Sequence, residues 1–234
     1  MTEMAATNLA DAPAVPWGLP VRLALRYRGP HEFHYVLFKV LLDPVYRATI
    51  AALHGSVLPL LDIGCGPGLL ACYLRRCGFT GAIHGFDYDA RKIEIARRAT
   101  ETLPDCRFDT GDARTALPPH HGHVTILDIL QFFTPAEQDA LLREAAARVA
   151  PGGRLIIRSC LKDDGWRFGV TRAGDWFAKV TAWMKEHPVH YPTAEQLRTV
   201  LEGAGLRGRV TPLPGRLPFN NFLLVFERPV AAVA

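Results

Sequence analysis

From Leu58 onward, short apolar runs alternate with stretches in which apolar residues return every three or four positions, the pattern of a mostly parallel sheet covered by helices on both faces. Leu58–Ile63, apolar apart from Asp62, reads as a buried strand, and Gly68–Cys77 as a helix stopped by Gly78. A second strand is expected at Ala82–Phe86. Asp89 then caps a helix reaching Thr102, with Ile93, Ala96 and Ala99 inward. A third strand passes through Arg107 and Phe108, and a fourth spans Val124–Leu130. Thr134-Pro135-Ala136-Glu137 is the clearest start signal in the chain: a capping Thr, Pro at the first helical position and Glu at the third, which satisfy unpaired N–H groups reciprocally. A fifth strand, Arg154–Arg158, follows the Pro151-Gly152-Gly153 turn. A second capping box is expected of Thr193 and Gln196, before two closing strands near Leu206–Thr211 and Phe222–Glu227.

Two segments stand outside this alternation. Residues 21–53 are helical and amphipathic and precede the first strand, so they read as a helical cap. Residues 160–192 hold three of the four tryptophans, Trp166, Trp176 and Trp183. There Trp176, Phe177, Val180, Trp183 and Met184 share one helix face, as expected of a lid over the strand ends, where open α/β sheets bind ligands. The division expected is a flexible leader (1–20), the cap (21–53), an α/β domain with its lid insertion (54–228) and a short tail (229–234).

Composition narrows this picture. Of 234 residues, 49 % are apolar and 21 % charged, enough to bury a core and against global disorder. No apolar run approaches the roughly 20 residues of a membrane span, and the first twenty residues lack a basic start and an apolar stretch, unlike a secretory signal. Five scattered cysteines without C-x-x-C spacing fit reduced thiols in a cytoplasmic setting. The net charge of +4 is carried by dispersed arginines, so nucleic acid is not indicated as a partner.

The strongest local signal is Leu60-Leu61-Asp62-Ile63-Gly64-Cys65-Gly66-Pro67-Gly68, between a strand and a helix. Glycines let the backbone approach a ligand, and a helix start offers free N–H groups. Position 69 is Leu, so the dinucleotide pattern G-x-G-x-x-G is not met, and no Lys-Ser/Thr follows for a phosphate loop. This stretch resembles the first motif of the class I S-adenosylmethionine-dependent methyltransferases, and further positions follow in family-like order over about residues 57–228. Asp87 ends the second strand, Thr110-Gly111-Asp112-Ala113 follows the third, Asp128 lies in the fourth, and Pro151-Gly152-Gly153 precedes the fifth. The resemblance implies a Rossmann-like seven-stranded sheet with an antiparallel C-terminal strand, and S-adenosylmethionine as cofactor. It implies ribose hydroxyls on Asp87, adenine on Asp112 and Ala113, and the methionine end beside Asp128. The expected cofactor set is Asp62, Gly64, Cys65, Gly66, Asp87, Tyr88, Asp112, Ala113, Asp128 and Ile129. An unpaired buried Asp62 would be costly; holding the glycine loop or the cofactor's amino group accounts for it.

Methyl transfer from a sulfonium is an in-line displacement that mainly demands alignment and exclusion of water, with a base where the nucleophile is a hydroxyl. His34 and His31, i and i+3 on the cap, are the expected catalytic pair, with His187 and His190 on the lid as second choice. Tyr27, Gln131, Trp176 and His190 are expected to face the acceptor. His120, His121 and His123 read as solvated, and no third ligand completes a metal site with the paired histidines. Motifs for amino-group and cytosine methylation are absent, which leaves a small apolar or aromatic acceptor, free or bound to an acyl carrier, with oxygen favoured. Short phrases around Gly29–Phe33, Ala150–Arg158 and Leu217–Phe222 resemble methyltransferases of aryl-polyene pigment clusters. That would bring an acidic carrier to Arg22, Arg26 and Arg28. The alternatives are an RNA or protein methyltransferase and an NAD(P)-dependent oxidoreductase.

Overall fold

The computed structural model describes residues 15–162, 190–216 and 220–230. Seven strands form one sheet: β1 (Leu60–Ile63), β2 (Ile83–Asp87), β3 (Cys106–Thr110), β4 (His123–Leu127), β5 (Arg154–Cys160), β6 (Arg207–Pro212) and β7 (Asn221–Glu227). Their order is β3-β2-β1-β4-β5-β7-β6. The pairs from β3 through β5 are parallel, and β7 is antiparallel to both β5 and β6. Seven α-helices are described: α1 (Leu19–Ala24), α2 (Pro30–Leu42), α3 (Val45–Leu53), α4 (Leu69–Arg76), α5 (Ala90–Thr100), α6 (Pro135–Ala147) and α7 (Ala194–Gly203).

Side chains alternate across each strand and divide the core into two layers. Leu60, Ile156, Leu223 and Val225 pack beneath α1 to α5. Leu61, Ile63, Ile126, Leu155, Ile157, Leu224 and Phe226 pack beneath α6 and α7. Asp62 and Thr125 are register partners in the row that continues to Ile156, so both point into the layer shared with the N-terminal helices.

Several local expectations change in detail. Helix α1 begins at Leu19, which is fully buried; the cap therefore starts before residue 21 and takes in the end of the expected leader. Strand β4 ends at Leu127, because Asp128 adopts φ 62° and the chain turns into a single 3-10 turn at Leu130–Phe132. Thr134 and Glu137 complete a reciprocal capping box. Thr193 makes only half of one, accepting from the Gln196 N–H, while the Gln196 amide reaches Asp139 Oδ1 at 3.0 Å and ties α7 to α6. His123 is not solvated but buried at the start of β4. Arg154 N–H donates to its Nδ1 (2.9 Å), which leaves the proton on Nε2 for Ser56 Oγ (2.7 Å). The expected lid helix lies on residues 163–189, outside the described residues, and with it Trp166, Trp176, Trp183 and His187.

Candidate active site

The strand order turns back between β1 and β4, and in doubly wound sheets ligands bind at the carboxyl ends of such strands. A cavity of about 420 Å³ opens there. Its floor is the elbow between β1 and α4, where Gly64, Gly66 and Gly68 have φ of 76°, 52° and 73°. A Cβ on Gly64 would come within 2.6 Å of Ile129, and one on Gly68 within 2.9 Å of Ala96. Gly66 differs: nothing lies within 4 Å of where its Cβ would be, so its bare backbone faces open space on the cavity wall. The elbow is pinned from behind. Gly64 and Cys65 N–H both donate to Phe86 O, and the Tyr27 hydroxyl donates to Pro67 O at 3.1 Å.

Asp87, at the end of β2, accepts from Gly66 N–H (2.9 Å) through one oxygen and from Asp89 N–H (2.8 Å) through the other. Its carboxylate is thereby aimed along the elbow and lines the cavity. Tyr88 lines the same wall and is 43 % exposed. Asp112 and Ala113 form the far end, where the Asp112 carboxylate takes the Arg114 N–H at 2.9 Å. Asp62 lies deeper, 3 % exposed, and accepts from Thr125 Oγ1 at 2.7 Å. Burial pushes its carboxyl up to about 7, with the Thr125 hydrogen bond opposing. Asp62 makes no hydrogen bond to the glycine elbow; Asp87 and Phe86 hold it instead. Cys65 lines the cavity, and burial pushes its thiol well up.

The cavity's other end is built on charge. Asp128 and Ile129 follow β4 and line it, together with Gln131, whose amide donates to Asp128 O and whose Oε1 is buried without a partner among the described residues. Arg158 of β5, 7 % exposed, binds the Asp128 carboxylate and reaches Asp43 at 3.1 Å. Lys39 of α2 lies 2.8 Å from Asp43 and 3.5 Å from Asp128. Burial opposes the Lys39 charge, but Asp128 and Asp43 outweigh it and hold the ammonium above its ordinary range.

Several expected residues do not reach this cavity. His31 and His34 are exposed on α2, and His34 Nδ1 is engaged by the Pro30 carbonyl one turn back, at 2.6 Å. One turn further along, Tyr35 and Lys39 line the cavity instead. Tyr27 is buried behind the elbow, where it supports the loop rather than facing an acceptor. His190 approaches only through its backbone, donating to Gln131 O and accepting from Gln138. Lys39, Tyr46, Arg158 and Asn221 line the cavity and lie outside the expected set. One of them was signalled: Arg158 interrupts the apolar run of β5 as Asp62 interrupts that of β1.

A doubly wound sheet with a glycine elbow and paired acids at its switch point is the architecture of nucleoside-cofactor enzymes. A family model described as a methyltransferase domain matches residues 37–209, and the chain belongs to this family, the class I S-adenosylmethionine-dependent methyltransferases. It is 29 % identical over 196 residues to a ubiquinone biosynthesis O-methyltransferase of Methylobacterium nodulans, covering 75 % of each chain. It is 32 % identical over 122 residues to the ribosomal protein L11 methyltransferase of Burkholderia lata, 50 % of this chain and 38 % of that one. Its fold is similar to magnesium protoporphyrin IX methyltransferase from Synechocystis PCC 6803, solved with S-adenosylhomocysteine, at 18 % identity and a TM-score of 0.60 over 94 % of this chain and 91 % of that one. The chain spans 28 % and 38 % of the length of two curated relatives it matches. No helix among the described residues is long and apolar enough to cross a membrane.

Proposed function

We propose that this chain transfers a methyl group from S-adenosylmethionine to an oxygen of a small apolar or aromatic acceptor. The observation carrying the reading is the convergence of the open Gly66 backbone, the aimed Asp87 carboxylate and the Asp112–Ala113 end in one 420 Å³ cavity, a volume within the usual range for cofactor sites. These residues fit the cofactor. Asp87 would take the ribose hydroxyls, and Asp112 with the Ala113 N–H would take the adenine edge. Gly64, Cys65, Gly66 and Tyr88 would flank the adenosyl group, and Asp62, Asp128 and Ile129 the amino-acid end. The bound cofactor supplies an electrophilic methyl on a positively charged sulfur. The chain's own task is to align the acceptor and keep water out, with Tyr35, Lys39, Gln131 and Arg158 at the acceptor end.

The similarity to an O-methyltransferase over three quarters of both chains supports oxygen as the nucleophile. Among the described residues no histidine lines the cavity, which favours an acceptor that arrives already ionised over one deprotonated by His34 or His31. An acyl-carrier partner would have to use Arg22 and Arg28, both exposed, because Arg26 is engaged by Ala99 O on α5 and by Thr102 just after it. Titration calorimetry with S-adenosylhomocysteine tests the reading, with one site per chain expected. Absence of binding at millimolar ligand, with NAD(P)H bound instead, would overturn it.

A further inference from the structure

Beyond the cofactor cavity lies a second one of about 270 Å³, between α2 and the start of β7. Four residues, Tyr35, Lys39, Arg158 and Asn221, line both. The remaining wall is largely apolar, with Phe38, Leu42 and Pro44 against it. The two spaces thus meet across a polar threshold, and one is shaped for an apolar body.

Hydrogen-bond capacity at that threshold is unbalanced. Oδ2 of Asp43 and Oδ2 of Asp128 each already accept from both Lys39 and Arg158, and Asp43 Oδ1 takes the Val45 N–H at 3.0 Å. Two donor groups are left over. Lys39 carries three N–H groups and spends two on these carboxylates, and Arg158 Nε has no partner among the described residues. An oxyanion entering here meets these unspent donors.

We propose that the second cavity is the acceptor chamber, and that it selects a phenolic ring whose ionised oxygen is held by Lys39 with the ring against Phe38, Leu42 and Pro44. This rests on the methyltransferase reading above and names its acceptor class. It also accounts for a cavity that no histidine lines among the described residues: a phenol that gives its proton to solvent and is held as its anion needs no base in place. Lys39 suits the role because the carboxylates of Asp43 and Asp128 keep it charged. The charged and titratable groups around it are Tyr35 on its own helix, Asp43 after that helix, Tyr46 on α3, Asp128 after β4 and Arg158 on β5.

4-Nitrophenol is the probe, because its anion absorbs visibly and reports ionisation without turnover. Titrated with pH on the protein saturated with S-adenosylhomocysteine, its pKa should fall by at least about one unit from its value in free solution, as beside a fixed cation. Lys39→Met should abolish the fall and Lys39→Arg should keep it, each read on protein that calorimetry shows to be saturated with S-adenosylhomocysteine. An unshifted pKa on the wild-type protein overturns the proposal whatever the variants do. So does a shift that survives in a folded Lys39→Met protein, or nitrophenol bound no better than 4-nitroanisole. Failure of S-adenosylhomocysteine itself to bind would sink the underlying methyltransferase reading instead, and the two results cannot be confused.

Discussion

Asp62 and His123 set two titrations against each other. The folded pKa of Asp62 is raised to about 7 by burial, so its contribution to stability is complete below its unfolded value near 4 and is lost as pH rises through 7. That of His123 is lowered to about 4 by burial and by Arg154, so its contribution is present above pH 6.5 and is lost as pH falls through 4. Each spans roughly 3–4 kcal/mol at about 1.4 kcal/mol per unit, over the same window and with opposite sign. Asp62→Asn should therefore raise Tm more at pH 8 than at pH 5, and His123→Gln should flatten the acid side; melting curves across pH 4–8 check both. Asp87→Ala removes the carboxylate assigned to two ribose hydroxyls. At about 1.5–3 kcal/mol per charge-assisted bond, calorimetry should show S-adenosylhomocysteine affinity falling at least about hundredfold. Unchanged affinity would remove the ribose assignment. These acids were readable in the sequence because Asp62 interrupts an apolar strand just before the glycine elbow and Asp87 ends a strand. The neutrality of His123 was not, since it depends on Ser56 and Arg154, 67 and 31 residues away.

At the scale of elements, the start of α6 was legible residue by residue, because a capping box is written within four consecutive positions and closes on itself. Thr134→Ala should cost about 1 kcal/mol and lower Tm by roughly 2–4 °C for a chain of this size, as read by thermal denaturation. The same pattern at Thr193 placed the helix start correctly but closes only halfway, because the Gln196 side chain bonds to α6 instead. Helix α2 shows the opposite case. Its histidines at positions 31 and 34 form an attractive pair on paper, yet the helix turns them outward and presents Tyr35 and Lys39 to the cavity. Which face of a cap helix meets the sheet is decided by its packing on α1 and on the sheet, and a weakly amphipathic sequence does not declare it.

Across the whole molecule, Lys39, Asp43, Asp128 and Arg158 fasten the N-terminal cap to the carboxyl ends of β4 and β5. Arg158→Met would leave two buried or half-buried carboxylates with one cation between them. A loss of about 3–5 kcal/mol is expected where one partner of a buried ion pair is removed, measurable by denaturant unfolding. A change below about 1 kcal/mol would show the cluster to be solvated and idle. The amino-acid sequence by itself determined the alternation of strands and helices, the glycine elbow, Asp87, Asp112 and the α6 cap, because each is a rule acting over a few neighbouring residues. The tertiary structure alone decided the charged end of the cavity. Its charged members are separated by 30, 89 and 115 residues in pairs, and a lysine on a cap helix and an arginine on a strand carry no local sign of each other. Strand order and helix packing bring them together, and only there does burial turn separate surface-type charges into one site.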